Sequence, residues 1–182
     1  TIDGADRNNR NPLYNRYVDR NGYPLWVTNT VIENLVSRND PRLTIFSLPA
    51  EDGVTGYRGR PIGLKGVEVT RYSEAETARL PMYFQEAVYP IIVMNAAEVF
   101  FLRAEAALTG LSSENAQDMY RAGISASLEQ YKVPPPDSAT YLNSAVATLN
   151  LSPEENLESI IVQKWLAIYW QGNEGWAEFR RT

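Results

Sequence analysis

The chain has 182 residues, 44% hydrophobic and 21% charged, with a formal net charge of −5. A chain of this length buries about 70% of its unfolded surface, enough for a core without covalent staples, and its composition excludes a disordered tail. The acidic balance argues against a nucleic-acid partner, whose phosphates need a basic face, and no apolar run approaches the roughly 20 residues of a membrane-spanning helix. There is no cysteine and no histidine. That removes thiolate nucleophiles, disulfides, zinc–thiolate and iron–sulfur sites, imidazole ligands and any Ser-His-Asp triad. Carboxylate chemistry or an oxygen-ligand metal site is left, neither signalled by a motif, so no cofactor is expected. The chain opens on Thr1 and stops at Arg180-Arg181-Thr182 without a glycine stop. This reads as a portion of a longer protein, with any export signal outside it.

In chain order, residues 1–27 combine Asn, Gly22, Pro12 and Pro24 with Tyr14, Tyr17, Tyr23 and Trp26, at spacings of neither 2 nor 3.6. A loop or extended segment is expected there. Thr30 with Glu33 matches a capping box, and Val31/Leu35 and Ile32/Val36 give a short helix that Asn39-Asp40-Pro41 stops. Leu43–Leu48 and Val67–Thr70 are strand candidates, separated by a glycine-rich stretch from Gly53 to Gly66. Ser73-x-x-Glu76 opens a further short helix that Pro81 ends.

From Asn95 the signal becomes helical. The spacing predicts helices over 96–109, 114–131, 138–149 and 153–171. Asn95 and Glu98 mark the first start, Gly110 its end, and Ser152-Pro153-Glu154-Glu155 the last start. Ala116, Met119, Tyr120, Gly123, Ile124, Ser127, Leu128 and Tyr131 form the stripe of the second helix. Leu157, Ile160, Ile161, Trp165 and Ile168 form that of the fourth, placing Trp165 in a core. Gly172 is read as closing that helix, before a short one holding Trp176 and Phe179. Trp165, Trp170 and Trp176 are read as packing residues. Short connections imply stacked antiparallel hairpins, with Ala104, Ala106, Ala107 and Gly123 permitting close approach. The expected fold is mainly α, tetratricopeptide-like helical hairpins with a long irregular loop region and minor β in the first half; an ordinary helical bundle satisfies the periodicity equally.

Five ordered segments carry a resemblance. Asn34–Leu43, ending Asn39-Asp40-Pro41-Arg42-Leu43, resembles a segment of SusD/RagB-like outer-membrane nutrient-binding lipoproteins. Ala97-Glu98-Val99-Phe100-Phe101-Leu102-Arg103-Ala104-Glu105-Ala106-Ala107, Tyr120-x-x-Gly123-Ile124-x-Ala126-Ser127 and Ile160-Ile161-x-Gln163-Lys164-Trp165 are similar to three of their helices. Glu174-Gly175-Trp176-Ala177-Glu178-Phe179-Arg180-Arg181-Thr182 is similar to their E-x-W-A-E-x-R-R-T. The resemblance implies a carboxy-terminal portion, a single unit over 1–182, of a SusD-like protein of the Bacteroidetes kind. Within it, 1–94 would be a loop-rich ligand side and 95–182 a helical scaffold. It implies no catalysis and capture of an oligosaccharide or other nutrient at the cell surface. The ligand would pass to a TonB-dependent SusC-like transporter, with membrane contact only through a lipid anchor outside this chain. The family's ligand residues follow no motif, so none transfers by match.

From the residues alone, the ligand candidates are Tyr14, Tyr17, Arg20, Asn21, Tyr23 and Trp26. Sugar rings offer flat C–H faces to aromatic rings, while their hydroxyls need Asn and Arg partners. The same aromatics equally suit pinning a loop to its unit. Glu98, Glu105 and Glu178 form either a carboxylate constellation, as glycoside hydrolysis needs, or solvated or salt-bridged groups. The Gly53–Gly66 stretch lacks the Gly-Lys-Ser/Thr ending of a phosphate loop and reads as a surface loop. The alternative reading of the whole is a tetratricopeptide-type scaffold binding a peptide or protein partner; a carboxylate-dependent hydrolase is a third.

Overall fold

The structure, a computed structural model, describes residues 6–19, 21–22, 25–90 and 92–182. Its α-helices are α1 (Pro12–Asp19), α2 (Asn29–Ser37), α3 (Leu43–Phe46), α4 (Ala96–Leu108), α5 (Ala116–Gln130), α6 (Pro135–Leu142), α7 (Pro153–Ala167) and α8 (Gly172–Arg181). The chain divides into two compact units, 1–91 and 92–182.

In the first unit the expected loop over 1–27 contains α1. Asn11 makes that helix: its side-chain oxygen accepts from the Leu13 N–H at 3.0 Å, and Pro12 follows at the first helical position, where a proline costs nothing. The helix closes when the N–H groups of Asn21 (φ 55) and Gly22 reach back to the carbonyls of Val18 and Tyr17. This pair of bonds satisfies carbonyls that a helix end leaves orphaned. The helix of the second segment begins at Asn29 rather than Thr30, and its cap position, Thr28, makes no side-chain bond. Glu33 accepts instead from Asn29 Nδ2 at 3.4 Å. α2 ends by the same device as α1, Asn39 (φ 48) and Asp40 donating to Val36 and Leu35.

The Asn-Asp-Pro-Arg-Leu segment then turns on a buried ion pair. Asp40 Oδ1 accepts from the Arg42 backbone N–H and from its Nε, both at 2.9 Å, and Oδ2 from its terminal nitrogen at 2.5 Å. Arg42 is wholly buried, so its charge depends on that bidentate partner. This local turn overrides the strand propensity of Leu43–Leu48, where α3 stands. Val67–Thr70 is likewise no strand but part of a 3-10 helix, Gly66–Arg71, and Ser73–Glu76 forms only a turn. The minor β reduces, among the described residues, to isolated bridges: Trp26 and Leu48 each with Arg79, and Thr28 with Arg60. Val27, Leu35, Phe46, Ala78, Leu80 and Phe84 form the core, with Phe46 and Phe84 edge-on at 6.3 Å.

The second unit is built as expected, from α4–α8. Asn95 caps α4 by accepting from the Glu98 N–H at 2.7 Å, Gly110 (φ 77) follows its end, and Ser152 with Glu155 completes a capping box on α7. α4 packs along α5 and, less extensively, against α7. Gly123 lies so close to the buried Phe101 ring that an added Cβ would sit 2.7 Å from it. The third and fourth helices depart from their expected bounds. The third helix starts at Pro135, with Pro134 preceding it, and stops at Leu142 before a 3-10 turn over Ala145–Ala147. α7 ends at Ala167, and Gly172 begins α8 rather than closing α7.

Of the expected stripe, Ile160 and Ile168 are buried, but Leu157, Ile161 and Trp165 are not. Asn156, Ile160, Gln163, Lys164, Leu166 and Ala167 are buried, whereas Trp165 is half-buried. The polar members are tolerated because each has a partner. Gln163 donates to the Tyr141 hydroxyl at 2.9 Å, Lys164 to Glu178 at 2.7 Å, and Asn156 to the Leu151 carbonyl at 3.1 Å. Trp176 is not a core residue either: it is 61% exposed, with Phe179 73% exposed and stacked beside it.

Candidate functional site

Of the six candidates read from sequence, Arg20 and Tyr23 lie outside the described residues. Tyr14 and Tyr17 are half-buried on α1, the Arg10 guanidinium lying 5.4 Å from the Tyr14 ring centre. Asn21 is exposed, and its left-handed backbone closes α1. Trp26 belongs to a different segment. Its backbone bridges Arg79, and the Arg60 guanidinium stacks 3.8 Å from its ring centre. Tyr14, Tyr17 and Asn21 thus share one helix and its closing turn, while Trp26 sits under a cation on a neighbouring strip of chain.

That strip leads to a groove of about 420 Å³ within the first unit, lined by Asn29, Ile32, Glu33, Thr55, Tyr57, Arg58, Gly59, Pro61 and Tyr72. Three stretches distant in sequence meet here, and backbone bonds fix them. The Asn29 N–H donates to the Arg60 carbonyl at 3.1 Å, the Arg60 N–H to Val27 at 2.9 Å, and the Ala78 N–H to Arg58 at 2.7 Å. Gly59 permits the approach: a Cβ there would stand 2.2 Å from the Asn29 Cα, a distance no side chain allows.

The outer wall is a turn organised by Asp52. Its Oδ1 accepts from the Val54 and Thr55 N–H groups at 3.0 and 2.9 Å, and its Oδ2 from the Thr55 hydroxyl. The hydroxyl and then the backbone of Thr55 hold the Asp52 carboxyl below its ordinary value, as hydrogen bonds to a charged form do. The Ala50 N–H closes the turn on Gly56 at 2.8 Å. Arg58 lies 4.4 Å from the Tyr72 ring centre, donates to the Arg71 carbonyl at 3.1 Å and faces Glu76 at 3.7 Å. The Tyr57 hydroxyl makes no hydrogen bond among the described residues. Aromatic faces, one acid, one cation and small polar groups in a preformed concavity can hold a polar ring compound. Sequence reading passed over these residues because Gly53–Gly66 reads as a loop. The signal present, Tyr57-Arg58 and Tyr72 among glycines and charges, is the same aperiodic polar–aromatic mixture seen over 14–26.

The carboxylates Glu105 and Glu178 are engaged in ion pairs. Arg181 donates to both Glu105 oxygens at 2.5 and 2.7 Å and to Glu178, and Glu178 also holds the buried Lys164. Glu98 is pushed above its ordinary value by burial and then by the charge of Glu174. These groups tie α8 to α4 and α7. Among the described residues no group of His, Cys, Asp or Glu is placed to hold a metal ion.

Residues 2–182 match the model of a family described as starch-binding, associating with the outer membrane. A SusD homologue from Bacteroides fragilis NCTC 9343 is 26% identical with a TM-score of 0.73, the match covering 96% of this chain and 42% of that one. A SusD homologue from Bacteroides vulgatus ATCC 8482 is 30% identical with a TM-score of 0.71, covering 86% and 37%. A chitin-binding protein shares the fold at 24% identity and a TM-score of 0.75, covering 85% and 37%. The chain therefore spans between 37% and 42% of the length of these three structures. No curated protein matches it.

Proposed function

The chain belongs to the SusD-like family, and from that premise we propose that it is the part of a non-catalytic cell-surface receptor that captures a nutrient glycan. The receptor is an outer-membrane lipoprotein that delivers its ligand to a TonB-dependent SusC-like transporter. The first unit is its ligand side and the second its scaffold. Tyr14, Tyr17, Arg20, Asn21, Tyr23 and Trp26 are further ligand contacts in this reading. What carries the reading is the family match across residues 2–182; the groove with its tyrosines and mixed polar lining supports it, since it supplies what sugar recognition needs. Glu105 and Glu178 are committed to cations, and a carboxylate held in an ion pair is a poor proton donor, which supports binding over hydrolysis.

The test is native electrophoresis of the full-length protein through gels containing starch and other soluble polysaccharides, with reducing ends assayed in parallel. Retarded migration in at least one polysaccharide, without new reducing ends and with a SusC-like barrel co-isolated from detergent extracts, is the expected result. Unretarded migration throughout, or liberation of reducing sugars, would contradict it.

A further inference from the structure

We propose that the groove beside the start of α2 is a subsite for a short stretch of uncharged oligosaccharide, with the Tyr57 ring as its stacking face. The proposal rests on the capture reading above and narrows it to one site and one class of ligand. Three aromatic rings lie in or beside this groove, and they are not equivalent. Trp26 lies under Arg60 and Tyr72 under Arg58. Tyr57 is half-buried in the groove wall, and neither its ring nor its hydroxyl has a partner among the described residues. A ring in that state presents apolar surface with a polar tip, the combination that receives the C–H face of a sugar and one hydroxyl.

The polar lining decides the class. The Arg58 charge is balanced by Glu76 at 3.7 Å, and the groove contains Glu33, whose described partner is the neutral Asn29 amide. Among the residues that line the groove Arg58 is the one cation, so none is left unbalanced there for a uronate or sulfate, and Glu33 repels both. Neutral hydroxyls find acceptors on Glu33 and Asn29 and donors on Arg58, Asn29 and Tyr57. The wall is set before binding by the Asp52 turn and by the bonds from Ala50 to Gly56 and Ala78 to Arg58. Little ordering is then charged against affinity. The volume of about 420 Å³ lies within the range of small-molecule sites, about 300–1,000 Å³.

The experiment is a glycan array carrying neutral, sulfated and uronate-containing oligosaccharides, probed with full-length wild type, Tyr57→Ala and Tyr57→Phe at low and high salt. Thermal unfolding of each protein is recorded alongside. The expected result is binding confined to neutral oligosaccharides, with signals insensitive to salt because no ligand charge is screened. Tyr57→Ala weakens binding several-fold to about tenfold, Tyr57→Phe keeps most of it, and both melt near wild type. Neutral binding undiminished in Tyr57→Ala would overturn the subsite while leaving the capture reading in place. Binding confined to acidic oligosaccharides would overturn the ligand class. Silence across the whole array would contradict the capture reading itself.

Discussion

Lys164 and Glu178 are both buried, Nζ to carboxylate 2.7 Å, and Arg181 adds a second cation to the same carboxylate. A buried pair adds little over a well-packed apolar one, but removing one partner strands the other charge, which costs about 3–5 kcal/mol. Glu178→Ala is therefore expected to lower denaturant stability by that amount, more than any change among the exposed ion pairs. Burial raises the Glu178 carboxyl, but the bonds from Arg181 and Lys164 outweigh it and leave it below its ordinary value. Its contribution is present above the ordinary carboxylate range and is lost as pH falls through the lowered value. Glu98 has the opposite sign. Its carboxyl is raised, so the folded state binds that proton more tightly, and the contribution is lost as pH rises from the ordinary value through the raised one. Glu98→Gln should accordingly stabilise the protein at neutral pH and progressively less in mild acid. Melting temperatures measured across that range check this, and an equal loss of stability at every pH would refute it.

At the scale of elements, the α4–α5 contact turns on Gly123. A methyl group there would stand 2.7–2.9 Å from three atoms of the Phe101 ring, which itself packs against Tyr120 at 6.1 Å. Overpacking costs about 1–3 kcal/mol, against about 0.5–1 kcal/mol gained from replacing a helical glycine, so Gly123→Ala should destabilise. Gly175→Ala, with open space around it on α8, should stabilise by the propensity term alone; urea unfolding of both variants separates the two effects. These contrasts indicate which elements could be read in advance. The starts of α4 and α7 were legible because their caps, Asn95 and Ser152, are local. The strand candidate Leu43–Leu48 failed because the Asp40–Arg42 pair imposes a turn that propensity does not encode. Trp165 was misplaced because the buried stripe of α7 contains Gln163 and Lys164, whose partners Tyr141 and Glu178 lie 22 and 14 residues away. α1 was missed although its signal, Asn11-Pro12 followed by Asn21-Gly22, stood in the sequence as a cap and a stop.

For the molecule as a whole, the helical pattern of 96–167 and the five motif segments were enough to indicate the fold and the family. The groove was not, because Asn29, Tyr57 and Tyr72 are brought together by backbone bonds among Val27, Arg60, Arg58 and Ala78, which no local pattern announces. We propose that the first unit captures the ligand and the second supports it. Hydrogen exchange of the full-length protein, with and without a saturating neutral oligosaccharide that it binds, tests that division most directly. Slower exchange is predicted in 27–33 and 50–60, where amides hold the groove wall, with α4, α5 and α7 exchanging as in the free protein. Protection centred on α4, α5 or α7, with 27–33 and 50–60 unchanged, would contradict it.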